Sequence, residues 1–98
     1  MNLTRLLVVY DISDNNIREE FARKLQKIGL TRIQRSCFIG YGDFNKVKQV
    51  LRLAEKLLKA ERDVVHVFPL DEYSYRNSRC FGTPYTSIEG GGEDYVLA

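Results

Sequence analysis

The stretch LLVVYDISDNN at residues 6–16 places an acid at the end of an apolar run: five apolar or aromatic residues precede Asp11, and the chain then turns polar. An ionisable group at the edge of a buried strand is costly unless something satisfies it. Two roles stand open for Asp11. It starts the turn into the next element, a common place for Asp, or its carboxylate is kept for a ligand. Asp14 could assist it, although capping the helix that follows suits it better. His66 offers a general base in principle. It sits mid-strand between Val65 and Val67 with no partner motif, so a structural role is expected. Cys37 and Cys80 lie far apart and match no CxxC spacing, which suggests neither zinc nor a disulfide framework. Lys48, Arg52, Lys56 and Lys59, spaced by four, four and three, line one side of a predicted helix. Such a row is either a wet face or a track for phosphates, and in the second case binding falls steeply with salt.

These groups need a scaffold, and the hydrophobic pattern supplies one. Residues 3–11 read as a strand with Leu3, Leu7, Val9 and Asp11 on one face and Leu6, Val8 and Tyr10 on the other. A helix is predicted over 15–28, capped by Ser13, Asp14 or Asn15 and ended by Gly29, with Ile17, Phe21, Leu25 and Ile28 on its buried side. Glu19–Arg23 and Glu20–Lys24 are spaced to pair on its wet side. Residues 31–41 are extended, as one bent strand or as two strands broken near 34–36. Arg32, Gln34, Ser36 and Phe38 alternate there with Ile33, Arg35, Cys37 and Ile39. A second helix, capped by Asp43, is predicted over 44–61. DVVHVFP at 63–69 is the next strand, closed by Pro69. A short helical turn at 71–78, a brief strand at 78–82, a glycine-bearing linker at 83–93 and an edge strand near the end complete the chain.

The 98 residues suffice for one domain. With 44% hydrophobic and 29% charged residues the composition is that of a soluble globular protein. The longest apolar run, Leu6 to Tyr10, is far short of the roughly 20 residues of a membrane span. No cationic start with a small-residue cleavage site is present. A cytoplasmic location and no membrane partner are therefore expected. Residues 1–62 hold 13 Lys and Arg against 7 Asp and Glu, and residues 63–98 hold 2 against 6. A basic body suits a polyanion partner, and an acidic tail could also cover it.

With residues 31–41 split in two, the order strand, helix, two strands, helix, strand is that of a split βαβ, so the fold class expected is α+β: a ferredoxin-like sandwich with two helices on one face of an antiparallel sheet. Residues 1–82 form that domain, and 83–98 form a flexible tail with an edge strand that could swap. The first and last main strands are apolar on both faces, so something must cover the side without helices. A second copy of the sheet, making a homodimer, does so most simply.

The residues also carry a resemblance. Tyr10–Asp11 at a strand end followed by Ile12-Ser13-Asp14, the segment RIQRSCFIG at 32–40, and VVHVFPL at 64–70 followed by a short turn resemble the CRISPR-associated protein 2 family, over about residues 3–82. The resemblance implies a homodimer in which the two copies of Asp11 meet to hold magnesium, with manganese as the alternative. It implies a metal-dependent endonuclease cutting RNA or duplex DNA, with Asp11 as the catalytic and metal-binding residue, acting in spacer acquisition beside the CRISPR-associated integrase. It equally allows a non-catalytic scaffold that bridges that integrase and binds duplex DNA. A related toxin nuclease acting on messenger RNA is a remoter reading. Arg18 resembles a position near the substrate, while Glu20 stands where some relatives carry a second Arg. Tyr10, Arg18, Arg32, Arg35, Ser36 and Phe38 are expected to line the inter-subunit groove or to touch nucleic acid; burial or dimer packing is the alternative for Tyr10, Arg32 and Phe38.

Overall fold

The computed structural model describes residues 4–86 and the backbone of residues 94–95. Its elements are β1 (Thr4–Asp11), α1 (Asn15–Lys27), β2 (Thr31–Gln34), β3 (Cys37–Gly42), α2 (Phe44–Leu57), β4 (Val64–Leu70), α3 (Glu72–Arg76), β5 (Cys80–Phe81) and β6 (Asp94–Tyr95). The main sheet is antiparallel in the order β2-β3-β1-β4. This is the expected ferredoxin-like arrangement, with residues 31–41 split in two by a turn at Arg35–Ser36.

Register decides which side chains meet the helices. Val8 stands opposite Phe38 on β3 and Val67 on β4. Val8 and Tyr10 from β1, Phe38 from β3, Phe21 and Leu25 from α1, and Val50 from α2 form one buried core. Full burial of such side chains contributes about 1.5–3 kcal/mol each, so the helix side holds most of the stability.

Local signals set the helix bounds. The Asp14 carboxylate accepts the Ile17 N–H at 2.9 Å to open α1, and Gly29 closes it at φ +98°, a left-handed conformation that favours glycine. Asp43 accepts from the Asn45 and Lys46 N–H groups to open α2. That helix ends at Leu57, earlier than the 61 expected, because Leu58 is already extended. The next positions its apolar stripe would reach, Glu61 and Arg62, are charged and have nothing to bury. Gly42 lets α2 approach: a Cβ there would lie 2.6 Å from the Lys46 Cβ and 2.8 Å from a Leu6 methyl. Pro69 lies within β4 opposite Leu6, tolerated because β4 is an edge strand.

The face away from α1 and α2 is partly covered, which corrects the expectation of a bare face. Tyr75 of α3 is buried against Ile33 and Ile39, with Leu7, Cys37 and Leu70 packed around them. Arg5, only 9% exposed, anchors this layer. Its guanidinium lies 3.6 Å from the Tyr75 ring centroid and 4.5 Å from that of Tyr41, and it pairs with Glu72. Glu72 also pairs with Arg76 at 2.8 Å, so Glu72 joins α3 to the sheet. The charge desolvated at Arg5 is thus met by a carboxylate and two ring faces. Farther along, the Tyr85 N–H donates to the Ile33 carbonyl at 2.9 Å, holding the chain after β5 beside β2. β6 pairs with β5 of the same chain in parallel. The glycine run of the expected linker lies outside the described residues.

Candidate active site

Asp11 is the last residue of β1 and stands opposite Val64, the first residue of β4. It shares the open face with Val9, which is flanked by Cys37 and His66. Here α3 no longer reaches. Val9, Val64 and Phe68 are 37%, 41% and 48% exposed, and they form an apolar strip ending at the acid.

The loop after Asp11 is pinned at each of its next three residues. Ile12 is buried in the core, and its carbonyl accepts from Arg18 Nη1 at 2.9 Å. The Ser13 N–H and its hydroxyl both donate to Asp63 Oδ1 at 3.0 Å, tying the loop to the chain that enters β4. These bonds from Ser13 hold the Asp63 carboxyl below its usual range. Asp14 is occupied with its cap. By contrast, Asp11 is exposed, and none of the hydrogen bonds or ion pairs among the described residues involves its carboxylate. The result is a fixed backbone presenting a free anionic oxygen pair.

That donor set bears on a hard cation. Among the described residues no group of three or more His, Cys, Asp or Glu could hold a metal ion. Magnesium needs only one or two carboxylates, completing its shell with water and phosphate oxygens. One chain brings one free carboxylate to this place, so the residues fit such an ion when a second copy supplies another.

The other expected site residues separate into three groups. Tyr10 and Phe38 are core residues, 4% and 0% exposed, and line no groove; burial is the alternative held open for Tyr10, and for Phe38 the groove expectation is corrected. The Tyr10 ring meets Phe21 edge-on at 5.0 Å and stacks near Phe38 at 6.2 Å. Burial pushes the Tyr10 phenol up from 10.0, with nearby Arg32 opposing. The cause is register: Phe38 faces Val8, on the side the helices occupy. Arg32 and Arg35 brace the β2–β3 turn, with Arg32 Nε and Nη2 donating to the Arg35 carbonyl at 3.0 and 2.6 Å. Arg32 also reaches Glu19 at 3.4 Å and lies over the Phe38 and Tyr85 rings. Glu19 is thereby drawn to Arg32, whereas the Glu20–Lys24 pair forms as expected at 3.9 Å. Ser36 sits in the same turn, its carbonyl accepting the Tyr10 N–H at 3.1 Å. Arg18 alone borders the Asp11 loop, and its Nε is buried without a hydrogen-bond partner.

Two residues near Asp11 were not expected to matter. Asp63 fixes the loop, and only a contact 50 positions apart in sequence reveals it. His66 is exposed, its ring stacked on Phe68 at 5.6 Å and 9°, on the face of Asp11 and diagonal to it across β1 and β4.

The sequence profile described as "CRISPR associated protein Cas2" matches residues 4–78, from β1 through α3. The chain belongs to the Cas2 family. A relative from Archaeoglobus fulgidus, named CRISPR-associated endoribonuclease Cas2 1, is 41% identical over 64 residues, covering 65% of this chain and 68% of that one. A Thermoproteus tenax protein named CRISPR-associated endonuclease Cas1/endonuclease Cas2 fusion is 39% identical over 70 residues, which are 68% of this chain and 25% of the fusion. A solved structure titled "Crystal structure of cas2" superposes with a TM-score of 0.67 over 90% of this chain and 97% of that one; at 20% identity it shows the Cas2 fold alone. No described helix of this Cas2 chain is long and apolar enough to cross a membrane.

Proposed function

We propose that this Cas2 protein is a metal-dependent endoribonuclease that works as a homodimer closed through the open sheet face, with Asp11 of both copies at the junction. What carries the reading is the Asp11 carboxylate, exposed and without a partner among the described residues, at the end of a strip made of Val9, Val64 and Phe68. Exposed apolar side chains in a contiguous strip mark an interface. A two-fold axis passing beside the end of β1 would bring the two copies of Asp11 together. Unscreened, such carboxylates repel, and a cation between them relieves the repulsion.

A magnesium or manganese ion held there by Asp11 would supply an activated water and stabilise charge on a scissile phosphate. The chain contributes position. Arg18, Asp63 and Asp14 hold residues 12–14, so Asp11 presents its oxygens without reorganising. Once paired across the dimer, the apolar strip would exclude water from one side of the site. The name of the Archaeoglobus relative supports RNA as the substrate. The test is cleavage of a labelled single-stranded RNA with added magnesium. Asp11→Ala should lose the activity while melting like the wild type. Cleavage by that variant at the wild-type rate would assign the activity elsewhere.

A second reading has its own support: the fusion relative joins a Cas2 segment to Cas1 in one chain, and the described residues offer one free carboxylate near the apolar strip. In this reading the dimer is a scaffold for the integrase during spacer acquisition. Co-purification with the Cas1 protein of the same genome, unaffected by Asp11→Ala, would favour it; absence of any complex would count against it.

A further inference from the structure

The outer side of α2, on the opposite side of the sheet from Asp11, carries a second surface that the proposed reaction does not use. Phe44, Lys48, Arg52 and Lys56 follow at intervals of four residues and therefore form one ridge. At 1.5 Å per residue the three cations stand about 6 Å apart along it. All three are exposed, as is Lys59 just past the helix end. None of the four takes part in an ion pair among the described residues. The acids that do pair, Glu19, Glu20 and Glu72, serve other cations, and Glu55 is the one acid on α2. At the head of the ridge the Phe44 ring is 67% exposed, with the Lys48 ammonium 5.0 Å from its centroid. Leu51, beside the ridge, is 48% exposed.

An aromatic face leading into a row of cations that take part in no ion pair among the described residues matches the surface that single-stranded nucleic acids use, with bases stacking on rings and phosphates following the charges. A duplex fits less well. Its stacked bases offer no free face to Phe44, although its phosphates could follow the charges as well as those of a single strand. We propose that the α2 ridge binds single-stranded nucleic acid, with Phe44 as the stacking platform and Lys48, Arg52, Lys56 and Lys59 along the backbone. This binding is independent of Asp11 chemistry.

The experiment is fluorescence anisotropy of a labelled 20-nucleotide oligo-U with the full chain in EDTA, from 50 to 200 mM salt. Each phosphate neutralised on a single strand adds about −0.7 to the slope of log K against log salt, so three or four contacts give about −2 to −3. Arg52→Gln with Lys56→Gln removes two contacts and should flatten the slope by about 1.4. The advantage of the wild type over this variant then shrinks about sevenfold across that salt range. Phe44→Leu should weaken binding at least about fivefold, the lower end for one lost stack. Asp11→Ala should bind like the wild type, so failure of the nuclease reading leaves this result intact. All four replaced residues are exposed, and unchanged circular dichroism confirms that each variant is folded. Wild-type affinity and slope in the double variant would overturn the proposal. Tighter binding of a matched duplex, with no effect of Phe44→Leu, would overturn it in favour of a duplex phosphate site.

Discussion

Replacing Phe38 by Ala separates a core residue from a groove residue by magnitude. The side chain is fully buried, with Tyr10 stacked on it at 6.2 Å and the Arg32 guanidinium 5.7 Å from its centroid. Truncating a buried Phe costs about 3–5 kcal/mol, from lost transfer energy and the cavity left between sheet and helices. The same change on a surface stays within about 0.5 kcal/mol. A domain of this size has about 5–15 kcal/mol in total, so the variant should lose a large share of its stability. Urea unfolding followed by far-UV circular dichroism reads this directly. With an m-value near 2 kcal/mol per M, a loss of about 4 kcal/mol lowers the midpoint by about 2 M. Phe38→Leu, which keeps much of the volume, should cost about 1.5 kcal/mol or less and retain RNA cleavage. A midpoint for Phe38→Ala within about 0.3 M of the wild type would refute the placement of this ring. A Phe38→Leu protein that folds normally but no longer cleaves RNA would do the same.

Further outcomes follow from other contacts. Gly42→Ala should destabilise by about 1–3 kcal/mol, because its methyl meets the Lys46 side chain near its root and a Leu6 methyl; the urea midpoint measures it. Tyr10 keeps its proton in the folded chain above the ordinary 10.0, chiefly through burial. Its contribution is therefore complete below pH 10 and is lost as pH rises through the folded value. Tyr10→Phe should lessen the alkaline fall in stability in a pH series of melts, while the similarly raised Tyr75 keeps part of it. Phe68→Asp places a charge in the exposed strip away from the core; with the proposed homodimer closed through that strip, light scattering should find a dimer for the wild type and a folded monomer for the variant.

Much of this was legible in the chain itself. Asp14, Gly29 and Asp43 mark helix ends by local backbone chemistry, and they mark them correctly. The element order and the face shared by Val9 and Asp11 follow from periodicity alone. Alternation also groups Arg32 with Phe38, but it does not say which face the helices will take. That choice belongs to the Val8–Phe38 register, a long-range property, and it moves Phe38 from an expected groove into the core. The docking of α3 was hidden for a similar reason. A five-residue helix has little periodicity, and its anchor is Arg5, a residue type that is almost never buried without partners and whose partners lie far along the chain. Asp63 escaped notice because a loop acid before a strand looks like any other until Ser13 is brought to it.

The central claim is that two chains share one cation through their Asp11 carboxylates. Manganese titration followed by electron paramagnetic resonance, at protein concentrations where light scattering shows the dimer, counts the ions directly. The expected result is one ion bound per two chains, lost in Asp11→Asn with the dimer intact. One ion per chain, or binding that survives Asp11→Asn, would contradict it.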